Sequence, residues 1–165
     1  MLLFTDGSVD TESKVGYGAY LLVADAELGL EELSSQIKVQ RFEQTSSSRL
    51  ELQTLLWALG ALEPSGGRLT VYSDSQNIIG LPARRERLES NDFRSKQNRK
   101  LNHYLLYDEF YRLTDRQICQ FVKVPGHQAT KQKSHIDQLF TLVDRASRKA
   151  LREDEKPTNR TAKDT

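Results

Sequence analysis

A chain of 165 residues, 37% hydrophobic and 28% charged, is long enough for one domain with a real core and too short for two ordinary ones. Its formal net charge of +1 excludes a uniformly basic nucleic-acid coat, and no run of about 18 apolar residues exists to cross a bilayer. The single cysteine, Cys119, leaves no internal disulfide and points to a reducing, cytoplasmic setting, while the opening MLLFTDGS has neither the basic nor the long apolar region of a secretory leader.

Leu2 to Phe4 is a short β-prone run that should stop at the polar connector TDGSVDTESK. VGYGAYLLVADA reads as a second strand, with Val15, Tyr17, Ala19, Leu21 and Val23 on one face. Gly16 and Gly18 fall on the other face, where a missing side chain lets a neighbouring element approach closely. After an acidic turn, LSSQIKVQRFE alternates again as a third strand, and short connections make these three an antiparallel meander.

TSSSRLELQTLLWALGALEPSGG carries the strongest helix signal, capped by Ser and Thr and stopped by Pro64 and the glycines beyond it. Leu52, Leu55, Leu56, Leu59 and Leu62 form one apolar stripe, and Leu50, Thr54, Trp57 and Ala61 form another on roughly the opposite side. A helix apolar on two sides is sandwiched between layers. RLTVYS predicts a fourth strand ending at Asp74, followed by a short helix through SQNIIGL. From Pro82 to Lys100 the chain turns polar and basic, then LNHYLLYDEFYRLT predicts an amphipathic helix and QICQFVKVP a fifth strand. The loop GHQATKQKSH leads to a last helix through IDQLFTLVDRASRKALRE. The order β-β-β-α-β-α-α-β-α implies an α/β domain with a mixed sheet over residues 1–155, with 156–165 as a disordered tail.

Three carboxylates fall where these elements begin or end, and a fourth lies inside the last helix. Asp6 follows the first strand, Glu51 lies in the first turns of the sandwiched helix, Asp74 closes the fourth strand and Asp144 sits within the last helix. If the first and fourth strands are neighbours, Asp6 and Asp74 stand side by side at one edge of the sheet, and their repulsion requires a positive partner. Glu51 projects about 75° from the centre of the leucine stripe, toward that edge. A hard divalent cation suits such an oxygen-only set, whereas the chain lacks the Cys/His spacing of a zinc site.

FTDGS, SSSRLELQTLLWAL, VYSDSQ and FVKVPGH, followed by LVDRASRKA, resemble in order and placement the motifs of type 1 ribonuclease H, from Leu3 to about Leu151. The resemblance implies the ribonuclease H-like fold, a five-stranded mixed sheet with three antiparallel then two parallel strands, flanked by helices. It implies endonucleolytic cleavage of the RNA strand of RNA:DNA hybrids with two Mg²⁺ ions, for which Mn²⁺ can substitute. Asp6, Glu51, Asp74 and Asp144 match the metal-binding carboxylates, with Asp137 as a rival for the last, and His127 matches a histidine that assists proton transfer or product release.

Gly7, Ser8, Gln76 and Ser47 or Ser48 stand at the family's ribose contacts, and Ser46 and Arg49 at its binding site for a DNA-strand phosphate. TSSS also serves simply as a cluster of helix caps. Arg84, Arg85 and Arg87 open a segment to Lys100 with seven basic against three acidic residues, at the place of the family's DNA-gripping basic protrusion. Lys131 and Lys133 extend that charge. A monomer with no protein partner and no membrane association is expected. Two alternatives stay open: a nucleic-acid-binding module without turnover, and another nuclease, such as a resolvase or exonuclease, on the same architecture.

Overall fold

The computed structural model describes residues 1–24, 28–64, 66–125 and 134–155. The expectations placed on His127, Lys131, Lys133 and the tail from 156 lie outside the described residues.

β1 (Leu2–Asp10) and β2 (Val15–Val23) form an antiparallel hairpin whose register runs unbroken from Leu2↔Val23 to Asp10↔Val15. Asp10 closes the turn, its carboxylate accepting from the Glu12 N–H and the Ser13 hydroxyl, each at 3.0 Å. The first strand therefore does not stop at Phe4. The ladder with β2 carries the polar residues after it, a tertiary effect that local propensity does not report. What stops at Phe4 is the other edge, because parallel pairing with β4 (Leu69–Ser73) ends at Phe4↔Tyr72. Asp6 lies two residues past that last rung, on a stretch paired on one side by β2.

The third strand is shorter than its alternation suggests. Leu30–Ser35 forms a helical turn, α1, with Glu31 and Glu32 in its first turn, where acidic side chains favour the helix. Leu33 is fully buried there, and β3 is confined to Lys38–Phe42 at the edge of the sheet.

α2 (Ser47–Ala61) starts at Ser46, whose hydroxyl accepts from the Arg49 N–H, and buries residues on both sides as expected. Leu50 and Thr54 enter the space left by three glycines. A Cβ on Gly7 or Gly16 would lie 2.8 or 2.7 Å from Leu50 Cδ2, and one on Gly18 would lie 2.1 Å from Thr54 Oγ1.

α3 (Gln76–Ser90) runs nine residues beyond Leu81, straight through Pro82. A proline inside a helix removes one hydrogen bond and costs about 3 kcal/mol. Tertiary contacts offset it: Leu81 and Leu88 are buried, and the Tyr111 hydroxyl donates to the Leu81 carbonyl at 2.7 Å. The first half of the basic segment is thus helix. α4 (Tyr104–Arg116) and β5 (Cys119–Lys123) follow as expected.

α5 (His135–Glu155) begins with a capping box between Ser134 and Asp137 and buries Leu139, Val143 and Ser147 in one stripe. The sheet order is β3-β2-β1-β4-β5, antiparallel across β3, β2 and β1 and parallel across β1, β4 and β5. One face packs Leu3, Tyr20 and Val71 against Leu52, Leu55 and Phe110 under α2, α3 and α4. The other packs Phe4 and Leu21 against Leu33, Leu139 and Val143 under α1 and α5.

Gly18→Ala should lower stability by ~1–3 kcal/mol through overpacking against Thr54. Gly60→Ala, where no other part of the described residues lies within 4 Å of the added carbon, should raise it by roughly 0.5–1 kcal/mol. Urea unfolding of the two variants reads both signs.

Candidate active site

Four segments bring the carboxylates to the end of the β1/β4 pair. Asp6 is partly buried on β1, and Asp74 is exposed directly after the last residue of β4. Ser75 is the N-cap of α3: its hydroxyl accepts from the Ile78 N–H at 3.3 Å and donates to Glu51 Oε2 at 2.7 Å. Asp6, Glu51 and Asp74 line one narrow cleft together with Thr5, Thr54, Ser73 and Ile78.

Asp144 approaches Asp6 from α5. Its helix is anchored by fully buried Leu139 and Val143, at about 1.5–3 kcal/mol each. That anchoring outweighs the surface ion pair of Asp144 Oδ1 with Arg148 Nε at 2.9 Å, worth about 1 kcal/mol or less. A second tie crosses the same gap. The Ser147 hydroxyl donates to the Asp144 carbonyl at 2.9 Å, so the Ser8 hydroxyl is the donor in its 3.0 Å contact with Ser147. Asp137, the rival carboxylate, is engaged in the capping box instead.

The acids feel one another. Burial, the Asp74 charge, a hydrogen bond to Asp144 and the Asp144 charge raise the Asp6 carboxyl to about 8, against the lowering effect of the Gly7 N–H. Burial likewise raises Glu51, the Ser75 hydroxyl opposes it, and Asp74 adds to it. Asp6 thus keeps a proton that a lone carboxyl would release, which marks a site short of positive charge. Among the described residues no three acidic, His or Cys side chains are gathered into a ready cage for one ion. Ser75 and Arg148 hold two of the four carboxylates. The oxygen-only donor set and its charge deficit still fit a hard divalent cation.

The positions expected to touch substrate surround this point unevenly. Gly7 lies against Leu50 of α2, and Ser8 is tied to α5. Ser46, Ser47 and Ser48 are exposed at the start of α2 beside partly buried Arg49. Ser48 Oγ lies 3.4 Å from His103 Nε2, and the buried Nδ1 of that ring has no hydrogen-bond partner among the described residues. Gln76 is exposed, and its Oε1 accepts from Lys123 Nζ at 3.0 Å.

The three arginines of α3 separate. Arg84 donates to Asn77 at 2.8 Å and lies over the Tyr107 ring. Arg84 and exposed Arg87 line an open groove of about 590 Å³ with Arg94 and Lys96. Arg85 instead grips Asp115 with two hydrogen bonds of 2.5 and 2.8 Å, pairs with Glu89 and covers the Tyr111 ring, joining α3 to α4.

Ser75, Ser147, Arg148 and Lys123 were not singled out from the sequence. Ser75 was legible as a cap ahead of α3 and Arg148 as the i+4 partner of Asp144, whereas Ser147 and Lys123 carry no local signal.

In the metal-free protein Asp6 holds its proton when folded and loses it when unfolded between about pH 4 and pH 8. Its contribution is therefore fully present below about pH 4 and lost as the pH rises through about 8. The urea midpoint should fall across that window, and Asp6→Asn should flatten the fall.

The family model described as RNase H matches residues 1–144. The ribonuclease H of Chlorobaculum parvum is 26% identical over 145 residues, covering 86% of this chain and 92% of its own. That of Acetivibrio thermocellus is 26% identical over 144 residues, covering 84% and 90%. Among solved structures, the PFV RNase H domain superposes with a TM-score of 0.68 at 17% identity, covering 90% of this chain and 92% of that one. A foamy viral protease-reverse transcriptase in complex with RNA/DNA hybrid gives 0.68 at 14% identity, covering 90% of this chain and 19% of that one. With the family model spanning most of the chain and the acids gathered where β1 leaves β4, the chain belongs to the RNase H family of metal-dependent endoribonucleases.

Proposed function

We propose that this protein hydrolyses the RNA strand of RNA:DNA hybrids internally, by a two-metal-ion mechanism that leaves 5′-phosphate and 3′-hydroxyl ends. The observation that carries this reading is the meeting of Asp6, Glu51 and Asp74 in one cleft with Asp144 hydrogen-bonded to Asp6, where burial and the neighbouring carboxylates raise the Asp6 carboxyl to about 8. Two Mg²⁺ ions, or Mn²⁺ in their place, would supply a polarised water and a stabilised leaving oxygen. In this reading Asp6, Glu51, Asp74 and Asp144 would hold the ions, with Glu51 and Asp74 serving the leaving-group side and Asp144 the side of the attacking water. His127 is assigned proton transfer or product release.

Substrate reading follows from what surrounds the acids. The RNA strand offers 2′-hydroxyls, which both donate and accept hydrogen bonds. The backbone of Gly7 and Ser8, the serines at the start of α2 and the Gln76 amide are assigned to them. Ser46 and Arg49 take a phosphate of the DNA strand, and the groove lined by Arg84 and Arg87 takes its backbone beyond. The hybrid bound by the viral neighbour supports this substrate. The reading includes a monomer in the cytoplasm, and the lone Cys119 is partly buried.

Labelled RNA:DNA hybrid, double-stranded RNA and double-stranded DNA, each with Mg²⁺, test the reading. Cleavage of the hybrid alone is expected, and Asp6→Asn should slow it roughly a thousandfold, about 4 kcal/mol of transition-state stabilisation. Tight hybrid binding without cleavage by the unmodified protein would favour the binding-module alternative. The arginines should divide as their contacts do. Arg84→Ala and Arg87→Ala should each weaken binding and lower the salt slope by about one. Arg85→Ala should leave that slope unchanged and lower the melting temperature, through loss of the tie to Asp115.

A further inference from the structure

Lys123 is the last residue of β5, in register with Ser73, and the Val124 N–H donates to the Ser73 carbonyl at 2.9 Å. This pins Lys123 beside the residue that precedes Asp74. Two residues earlier, and so on the same side of the sheet, Phe121 packs on Phe110 of α4 with ring centroids 5.4 Å apart. The Lys123 side chain accordingly rises on the side of α3, and its Nζ reaches Gln76 Oε1 at 3.0 Å.

An ammonium can only donate, so the Gln76 amide must turn its oxygen toward Lys123 and its NH₂ away from it. A terminal amide without such a neighbour has two nearly equivalent orientations, one presenting a donor and the other an acceptor. Lys123 removes that ambiguity. Its partner is a neutral amide, so its own charge stays available to an anionic strand at the end of the sheet where the carboxylates gather.

We propose that Lys123 is a positioning residue for RNA recognition: it locks Gln76 as a hydrogen-bond donor toward a ribose 2′-oxygen and adds positive charge along the RNA strand. This rests on the hydrolase reading above, in which Gln76 meets the ribose. It extends the recognition surface to the tip of β5, on the far side of β4 from β1.

Lys123→Met, Lys123→Arg and Gln76→Ala, alone and combined, test it on a hybrid and on the same duplex with 2′-deoxynucleotides around the cut. Lys123→Met should raise KM for the hybrid roughly tenfold with a smaller change in kcat, and narrow the preference for the ribose-bearing duplex. Lys123→Arg should restore most of both, and adding Gln76→Ala to Lys123→Met should cost less than Gln76→Ala costs alone, since part of the Lys123 effect runs through the amide. Binding of the same duplexes in an Asp6→Asn background reads the tie without turnover, so loss of cleavage by the unmodified protein would sink the hydrolase reading and still leave Lys123 tested. Unchanged KM and ribose preference in Lys123→Met, or effects of Lys123→Met and Gln76→Ala that multiply in full, would overturn the proposal.

Discussion

Crowded negative charge where β1 parts from β4 is the constraint around which this molecule is arranged. Two unit charges about 4 Å apart repel by about 4 kcal/mol at an effective dielectric of 20, a large share of the roughly 5–15 kcal/mol that holds a domain folded. A fold that tolerates this must position each acid by forces unrelated to its charge. Asp6 is held by the β2 ladder, Asp74 by the end of a central strand, Glu51 by a helix buried on two sides, and Asp144 by two apolar anchors on its own helix, Val143 beside it and Leu139 five residues back. Burial, together with Asp74 and Asp144, raises the Asp6 carboxyl to about 8, and a proton there relieves part of the crowding.

Much of this was legible in the chain. The alternation in β2 put glycines on one face, and that face is where α2 closes in, with Thr54 filling the room left by Gly18. The two apolar stripes of α2 forecast its place between the sheet and α4. Where the reading of local pattern erred, non-local contacts were responsible. The polar TDGSVDTESK after Phe4 reads as the end of the first strand, yet pairing of Asp6 with Ala19 carries the strand through it. Pro82 and the charge beyond it suggested that α3 stops early, yet Leu88, Tyr111 and Asp115 hold two more turns. Leu33 belonged to an alternating run, yet burial beneath α5 made it helical.

The site was legible as a set of acids and less so as a set of contacts. Chain order shows that Asp6, Glu51, Asp74 and Asp144 exist, and a resemblance tells which to choose. Distinguishing Asp144 from Asp137 needed the observation that one meets Asp6 and the other caps its own helix. Distinguishing Arg85 from its neighbours needed Asp115, thirty residues away. A run of arginines reads as one basic patch in a sequence, but successive helical positions point about 100° apart. Adjacent arginines therefore do different work, one mortaring two helices and another facing the groove.

The open flank of β3 has a further consequence. A terminal strand leaves backbone donors and acceptors unpaired, an invitation for another molecule to extend the sheet. Val39 is exposed there, which would make the invitation stronger, but Lys38 and Arg41 flank it. Arg41 is already paired there with Glu43 and Asp154, which leaves Lys38 as the kind of side chain that makes a strand border a poor template for further pairing.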